Sequence, residues 1–115
     1  MAAMVTKTLW IKDEYLQQIL HGRKTIEVRV AYANVARLKV GDMLRLNDQS
    51  LFRIRRVGRY ANFAELLAHE DARAIAPDLA REQLSDVLHK IYPPEKEALG
   101  VIAFEIERVE SRTIN

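Results

Sequence analysis

Cysteine is absent from the 115 residues of this chain, and so are the patterns that mark membrane and secreted proteins. Without cysteine the chain cannot form disulfides, thiolate metal sites or a cysteine nucleophile, and the absence agrees with a reducing compartment. No apolar run approaches the roughly 20 residues that a membrane-spanning helix needs. Residues 1–7 lack the apolar core of a signal peptide. We therefore expect a cytoplasmic protein without a membrane partner.

Sequence motifs for zinc binding, phosphate binding and catalysis by a serine nucleophile are also missing. The three histidines, His21, His69 and His89, are isolated, and no His-x-x-x-His pattern, His-x-Glu pattern or acidic cluster accompanies them. A dedicated zinc site is therefore not expected. The chain has no Gly-rich phosphate loop and no Gly-x-Ser-x-Gly elbow, and its three serines lack the context of a catalytic triad. We predict no metal and no cofactor.

Charge is unevenly distributed along the chain. Residues 1–60 contain 12 Lys and Arg against 5 Asp and Glu, a net charge of +7, whereas residues 61–115 contain 6 against 11, a net charge of −5. These values account for the overall charge of +2. A basic half suggests an anionic partner such as nucleic acid. The other interpretation is that the two halves pair with each other, and the sequence does not decide between them.

Hydrophobic periodicity predicts short strands joined by turns, with helices inserted between them. The strands are expected around 9–11, at 25–30, from 43 to 46, at 51–59 and after Gly100, and the helices from about 13 to 21, at 63–69, and from an N-cap at Asp78 to just before Pro93. A reversed alternation at Arg55–Arg56 predicts a β-bulge. This order predicts an α+β fold in which residues 1–115 form a single domain. Its core would be a small, mostly antiparallel barrel or sheet of about five to six strands with packed helices.

The segment that follows Gly22 contains the first group of candidate site residues. Alternation along the strand at 25–30 places Glu27 and Arg29 on one face, with Lys24 just before it. A partly desolvated lysine can act as a base or nucleophile, a glutamate can move a proton, and an arginine can hold an anion or carbonyl oxygen. Charged rows also occur on solvent-facing strands, and the pattern alone favours that interpretation.

A second group of candidates is rich in arginine and lies on the predicted strand at 51–59 and just after it. Its members are Arg53, Arg55, Arg56 and Arg59, followed by Tyr60. Arginine binds phosphate bidentately, and a neighbouring tyrosine can stack on a base, so the group predicts an RNA-binding surface. The alternative is a solvated strand edge whose charges oppose aggregation.

The residues Gly22-x-Lys24-x-x-Glu27-x-Arg29, preceded by an amphipathic helix, resemble the signature of the ASCH domain family. Three further segments resemble that family in the same order: 40–42, 56–63, and 91–97 followed by 100–103. Together these segments cover nearly the whole chain. The resemblance implies a PUA-like β-barrel surrounded by helices, with a cleft lined partly by the signature residues.

Activities differ among the proteins that the chain resembles. Some small ASCH proteins hydrolyse the amide of N4-acetylcytidine and related N4-acylated nucleosides, PUA-like relatives bind RNA, and others are reported as ribonucleases. In the amidohydrolases the signature lysine, matched by Lys24, works with a residue three positions later and a distal acid. Glu27 stands where the bacterial N4-acetylcytidine enzyme has threonine. The distal acid has no clear match, and Glu70 and Asp71 are the nearest candidates.

The resemblance therefore implies hydrolysis of an N4-acylated cytidine, with a modified nucleoside or RNA as the partner. Lys24 would attack the acyl carbonyl or activate water, Glu27 would carry the proton to the leaving amine, and Arg29 or a backbone N–H would steady the oxyanion. The expected substrate-binding residues are Arg23, Thr25, Tyr60 and Tyr92. A non-catalytic RNA-binding module is the alternative, and a ribonuclease is a third possibility that the missing metal motif disfavours.

Overall fold

The computed structural model describes residues 3–109, which form a curled five-stranded sheet, or half-barrel, and six helices. The strands are β1 (Thr6–Leu9), β2 (Ile26–Val30), β3 (Met43–Leu46), β4 (Ser50–Tyr60) and β5 (Val101–Arg108). The helices are α1 (Asp13–Leu20), α2 (Ala33–Ala36), α3 (Phe63–His69), α4 (Ala72–Ile75), α5 (Arg81–Ile91) and α6 (Pro94–Glu97). The predicted α+β class is confirmed. None of the helices described is long and apolar enough to cross a membrane.

The strands are arranged in the order β1-β3-β4-β5-β2, so β1 and β2 form the two edges of the sheet. β1 pairs with β3 in parallel, and the other three pairings are antiparallel. Asn47 and Asp48 both have positive φ, 54° and 56°, as the tight turn between β3 and β4 requires. The register of β4 shifts between Ile54 and Arg56, which confirms the predicted bulge.

Two hydrophobic clusters cover opposite faces of the sheet. One includes Leu16 of α1 together with Phe104 of β5, and the other includes Phe63 of α3 together with Val28 of β2. Because alternate residues of a strand face opposite sides, β2 directs Val28 into the second cluster. Glu27, which pairs with Phe104 in the β2–β5 register, faces the side of the first cluster.

The segment between α3 and α5 differs from its prediction. α5 begins at Arg81 with Ala80 as the N-cap, and the Gln83 side chain accepts a hydrogen bond from the Ala80 amide at 2.8 Å. The predicted N-cap at Asp78 is therefore wrong, and Asp78 instead pairs with Arg23. The short helix α4 was not predicted, because four residues show too little periodicity to be recognised.

Ion pairs join the basic and acidic halves of the chain. Within residues 3–109 they are Arg23–Asp78, Arg53–Glu107, Arg55–Glu107, Arg56–Glu70 and Arg56–Glu105. The charge asymmetry is thus partly balanced inside the molecule, as the second interpretation of the sequence requires. An anionic partner would therefore have to bind cations that do not pair with these acids.

Candidate active site

A cleft of about 280 Å³ lies between α1, β2 and α5. Its walls are mostly apolar side chains of α5 and of the loop before it, and three aromatic residues, Trp10, Tyr15 and Tyr92, also line it. Trp10 is 68% exposed and marks the rim, whereas Lys24 and Glu27 are buried and mark the deep end. This volume lies at the lower limit of small-molecule sites, roughly 300 Å³, so the cleft suits one small ligand.

Lys24 enters the cleft from the turn that ends α1. Its Nζ donates to the carbonyl oxygens of Ile26 at 2.6 Å and Ile75 at 2.8 Å, and lies 3.2 Å from Oε1 of Glu27. These three acceptors match the three N–H donors of an ammonium group. Burial lowers the pKa of Lys24 below its ordinary value of 10.5, and the Glu27 carboxylate opposes part of that shift.

Glu27 lies between two cations. Its Oε2 accepts from Nε of Arg29 at 2.8 Å and lies 2.6 Å from Nη2, while the same Nη2 donates to the Trp10 carbonyl at 3.0 Å. Burial alone would raise the pKa of Glu27, but Lys24 and Arg29 lower it, and the net pKa lies below the ordinary value. The interpretation of this row as a solvated strand face is wrong for Glu27, which is only 7% exposed at the deep end of the cleft.

This buried charged group, here called the Lys24–Glu27–Arg29 triad, can do specific chemistry. Removing charges from water is costly, so a buried ion pair is weak evidence for stability. Buried ionisable groups with shifted pKa values in a cleft are instead candidates for function. Each carboxylate oxygen of Glu27 retains accepting capacity beyond its present partner. The triad can therefore accept an N–H from a ligand through Glu27 while Arg29, whose five N–H donors exceed its present contacts, donates to a neighbouring carbonyl oxygen.

Tyr92 is the one predicted substrate-binding residue that lines the cleft. It follows α5, and its ring packs 5.8 Å from that of Phe63. Burial raises the pKa of Tyr92. Trp10 and Tyr15 were missed as site residues, because the pattern indicated only a strand and a helix at their positions. The sequence signal that could have identified them is their position, since Trp10 lies just before the helix that precedes the signature and Tyr15 lies within it.

The other three predicted substrate-binding residues lie outside the cleft. Arg23 is exposed and paired with Asp78. Thr25 is also exposed, and its backbone amide donates to the Ala74 carbonyl at 2.9 Å. Tyr60 donates its hydroxyl to Glu70 and stacks on His69 with ring centroids 5.7 Å apart. These three residues therefore do not line the cleft in which they were predicted to contact a substrate.

The predicted RNA-binding arginines are held by partners on the surface of the sheet. Arg53 and Arg55 lie 3.4 Å and 3.8 Å from the Glu107 carboxylate, and Arg56 bonds Glu70 and Glu105. The remaining arginine, Arg59, donates to the carbonyl oxygen of Leu38 at 3.0 Å. Three of the four arginines are thus at least partly neutralised by acids of the second half of the chain.

Glu70 occupies a separate buried position against β4. Its carboxylate accepts from Arg56 at 3.0 Å and 2.5 Å and from the Tyr60 hydroxyl. Gly58 makes this approach possible, because a Cβ there would lie 2.6 Å from Oε2 of Glu70. Neither Glu70 nor Asp71 lines the cleft, and in the described part of the chain Glu27 is its only carboxylate. Residues 3–109 contain no group of three His, Asp or Glu side chains that could hold a metal ion.

Acid is expected to destabilise the protein partly through Glu70. Hydrogen bonds from Arg56 hold the pKa of Glu70 below its ordinary value, and burial opposes only part of that shift. A carboxyl group with a lower pKa in the folded state contributes stability that is complete above its unfolded pKa of about 4.3 and is lost as the pH falls through the folded pKa. Urea unfolding between pH 7 and pH 3 should therefore show a shallower loss of unfolding free energy in Glu70→Gln. An unchanged pH dependence would contradict this.

The curled, mostly antiparallel sheet with helices on both faces defines a PUA-like domain. The model of the ASCH domain family matches residues 9–110, and the chain belongs to that family. The resemblance inferred from the signature residues is thereby confirmed. The PUA-like fold of ASCH domains is often linked to RNA binding.

Three solved structures are similar to this protein along most of its length. The crystal structure of hypothetical protein PH0355 is 27% identical, with a TM-score of 0.85, and the match covers 92% of this chain and 100% of that one. The solution structure of protein PF0455 from Pyrococcus furiosus is 28% identical, with a TM-score of 0.76 and coverage of 94% and 100%. An ASCH domain from Lactobacillus crispatus is 12% identical, with a TM-score of 0.62 and coverage of 91% and 79%, and shares the fold. No curated protein matches the chain significantly.

Proposed function

We propose that this ASCH protein hydrolyses the amide of N4-acetylcytidine or of another N4-acylated cytosine nucleoside in the cleft. The observation that carries the proposal is the buried Lys24–Glu27–Arg29 triad at the deep end of a cleft with an aromatic rim. A flat base can stack on Trp10 or Tyr92. The link between the family's fold and RNA agrees with a nucleoside ligand.

The triad offers a matching set of partners for an acylated cytosine. Glutamate is a known hydrogen-bond acceptor for the N4–H of cytosine, so Glu27 would accept a hydrogen bond from that group. The acyl carbonyl oxygen beside N4 would then accept from Arg29, because the three N–H donors of Lys24 are already matched by acceptors. The apolar side chains of α5 would surround the acyl group.

In the proposed reaction a water molecule attacks the acyl carbonyl carbon while Glu27 takes one of its protons. The tetrahedral oxyanion is stabilised by hydrogen bonds from Arg29 and by the nearby positive charge of Lys24. The bond between the carbonyl carbon and N4 then breaks, and Glu27 returns the proton to N4, which yields cytidine and a carboxylic acid. We assign the attack to water rather than to the lysine, because three acceptors around Nζ favour the protonated amine, which has no lone pair to donate.

One observation favours a second candidate, recognition of the base without hydrolysis. Two cations lower the pKa of Glu27, and a carboxylate with a low pKa has little affinity for the proton that hydrolysis requires it to take. The same triad would then bind a cytosine through hydrogen bonds alone. This candidate corresponds to the RNA-binding alternative drawn from the sequence.

The two candidates are separated by incubating the purified protein with N4-acetylcytidine and with longer N4-acyl cytidines, and quantifying cytidine by chromatography. Hydrolysis predicts stoichiometric cytidine and carboxylic acid, and its loss in Lys24→Ala. Saturable binding of the nucleoside without cytidine release would support recognition alone. Full activity in Lys24→Ala would contradict the role of the triad, and no turnover of any acyl cytidine would exclude the substrate class.

A further inference from the structure

The segment between β1 and α1 exposes an aromatic ring beside the cleft. Trp10 is the only tryptophan of the chain, its exposed fraction is 68%, and it lines the rim of the cleft. None of the aromatic pairs formed within residues 3–109 includes Trp10, whereas Tyr92 already packs against Phe63. Of these two rim aromatics, Trp10 therefore has more ring surface free for a ligand.

Asn47, in the turn between β3 and β4, bonds the backbone on both sides of Trp10. Its side-chain Oδ1 accepts from the Ile11 amide at 2.7 Å, and its Nδ2 donates to the Ile11 carbonyl at 2.8 Å. Its own backbone amide donates to the carbonyl of Leu9 at 2.9 Å. Because a primary amide carries both a donor and an acceptor, this side chain takes the place of a neighbouring strand where the β1–β3 pairing ends, at Leu9 and Leu46.

The backbone of Trp10 is also bonded to the triad. Its carbonyl oxygen accepts from Nη2 of Arg29 at 3.0 Å, and the same guanidinium donates to Glu27. Asn47 and Arg29 together therefore bond the backbone of three consecutive residues, 9–11. When the backbone that carries a ring is fixed before the ligand arrives, less ordering is needed on binding, and this preorganisation increases the affinity.

We propose that Asn47 is a positioning residue for substrate binding, because it holds Trp10 as the surface on which the pyrimidine base stacks. Asn47 does not itself line the cleft and acts only through the segment that it bonds. The inference rests on the function proposed above for the identity of the base, and it makes the affinity for that base depend on the turn between β3 and β4. A stacking contact is the same in the ground state and in the transition state, so its loss is expected in KM rather than in kcat.

The test compares Asn47→Gly with the matched control Asp48→Gly. Both residues have positive φ, 54° and 56°, which glycine adopts without strain, so each substitution keeps the turn. Only Asn47→Gly removes the two hydrogen bonds to Ile11, and the side chain of Asp48 is exposed. The probe is cytidine, which has no acyl group to hydrolyse. Because Trp10 is the only tryptophan, quenching of the tryptophan fluorescence by cytidine reports stacking at that ring.

We expect Asn47→Gly to bind cytidine about fivefold to tenfold more weakly, the lower part of the range of about 5- to 100-fold for complete loss of a stacking side chain, since the indole is still present but no longer held. Asp48→Gly should keep the affinity of the unaltered protein. With N4-acetylcytidine as substrate, Asn47→Gly should raise KM by a similar factor and leave kcat nearly unchanged.

Two measurements without a ligand test the role of Asn47 directly. The decay of fluorescence anisotropy should show faster local motion of Trp10 in Asn47→Gly than in Asp48→Gly. In the unaltered protein, the Ile11 amide should be protected from hydrogen exchange although it lies beyond the last paired residue of β1. Equal effects of the two glycine variants, an unprotected Ile11 amide, or cytidine that leaves the fluorescence unchanged would overturn the proposal. Stacking that depends on Asn47, in a protein that releases no cytidine from N4-acetylcytidine, would contradict only the proposed function.

Discussion

Replacing Glu27 with glutamine is expected to lower kcat for N4-acetylcytidine by about 10²- to 10⁴-fold, the range for loss of a general acid–base group. The amide is nearly the same size as the carboxylate and can still accept a hydrogen bond from Arg29, so the cleft keeps its shape. It cannot take a proton from water or return one to N4. Steady-state release of cytidine, followed at saturating substrate, measures the effect on the chemical step.

Glu70→Gln provides a matched control for this substitution. Like Glu27, Glu70 is buried and bonded to an arginine, but it lies against β4 outside the cleft. We expect this variant to keep its kcat, so that a loss in Glu27→Gln alone cannot be attributed to removing any buried carboxylate. Circular dichroism of both variants establishes that they are folded. A Glu27→Gln variant that keeps nearly the original kcat would contradict the proposed role of Glu27 in proton transfer.

Local periodicity was sufficient to predict most elements of the fold. The alternation in β2, the helix at 63–69 and the bulge after Ile54 were predicted, because each depends on neighbouring residues. The parallel pairing of β1 with β3 was not, since it joins segments more than 30 residues apart and leaves no mark on either strand. The start of α5 was misplaced because Asp78 is a favoured type of N-cap residue, whereas the actual N-cap is Ala80, a residue type that does not signal a helix start.

The spacing of Lys24, Glu27 and Arg29 indicated a candidate site, but not whether it faced solvent. Burial of the triad depends on tertiary packing, since the Ile75 carbonyl that binds Lys24 comes from a helix 51 residues further along the chain. Tyr60 was a plausible stacking residue because it follows the arginine-rich strand. In the folded protein its hydroxyl is bound by Glu70, an interaction that the sequence pattern could not indicate.

Replacing Lys24 with methionine is expected to lower the free energy of unfolding by about 3 kcal/mol, the lower end of the range for breaking a buried ion pair. The carbonyl oxygens of Ile26 and Ile75 lose their donor, and the buried Glu27 loses one of its two cations. The value is at the lower end because Arg29 still neutralises the carboxylate. Urea unfolding at pH 7 measures the change, provided that the dependence on urea concentration is the same in both proteins.

Lys39→Met is the matched control, because Lys39 pairs with a buried carboxylate at the same sequence spacing and at a similar distance, 3.1 Å. Its side chain is 51% exposed, so water screens the pair and the expected change is at most about 1 kcal/mol. In the double variant Lys24→Met and Glu27→Gln, the loss should be smaller than the sum of the two single losses, since no lone charge of the pair stays buried. Strict additivity, or equal effects of Lys24→Met and Lys39→Met, would mean that burial does not couple Lys24 to Glu27.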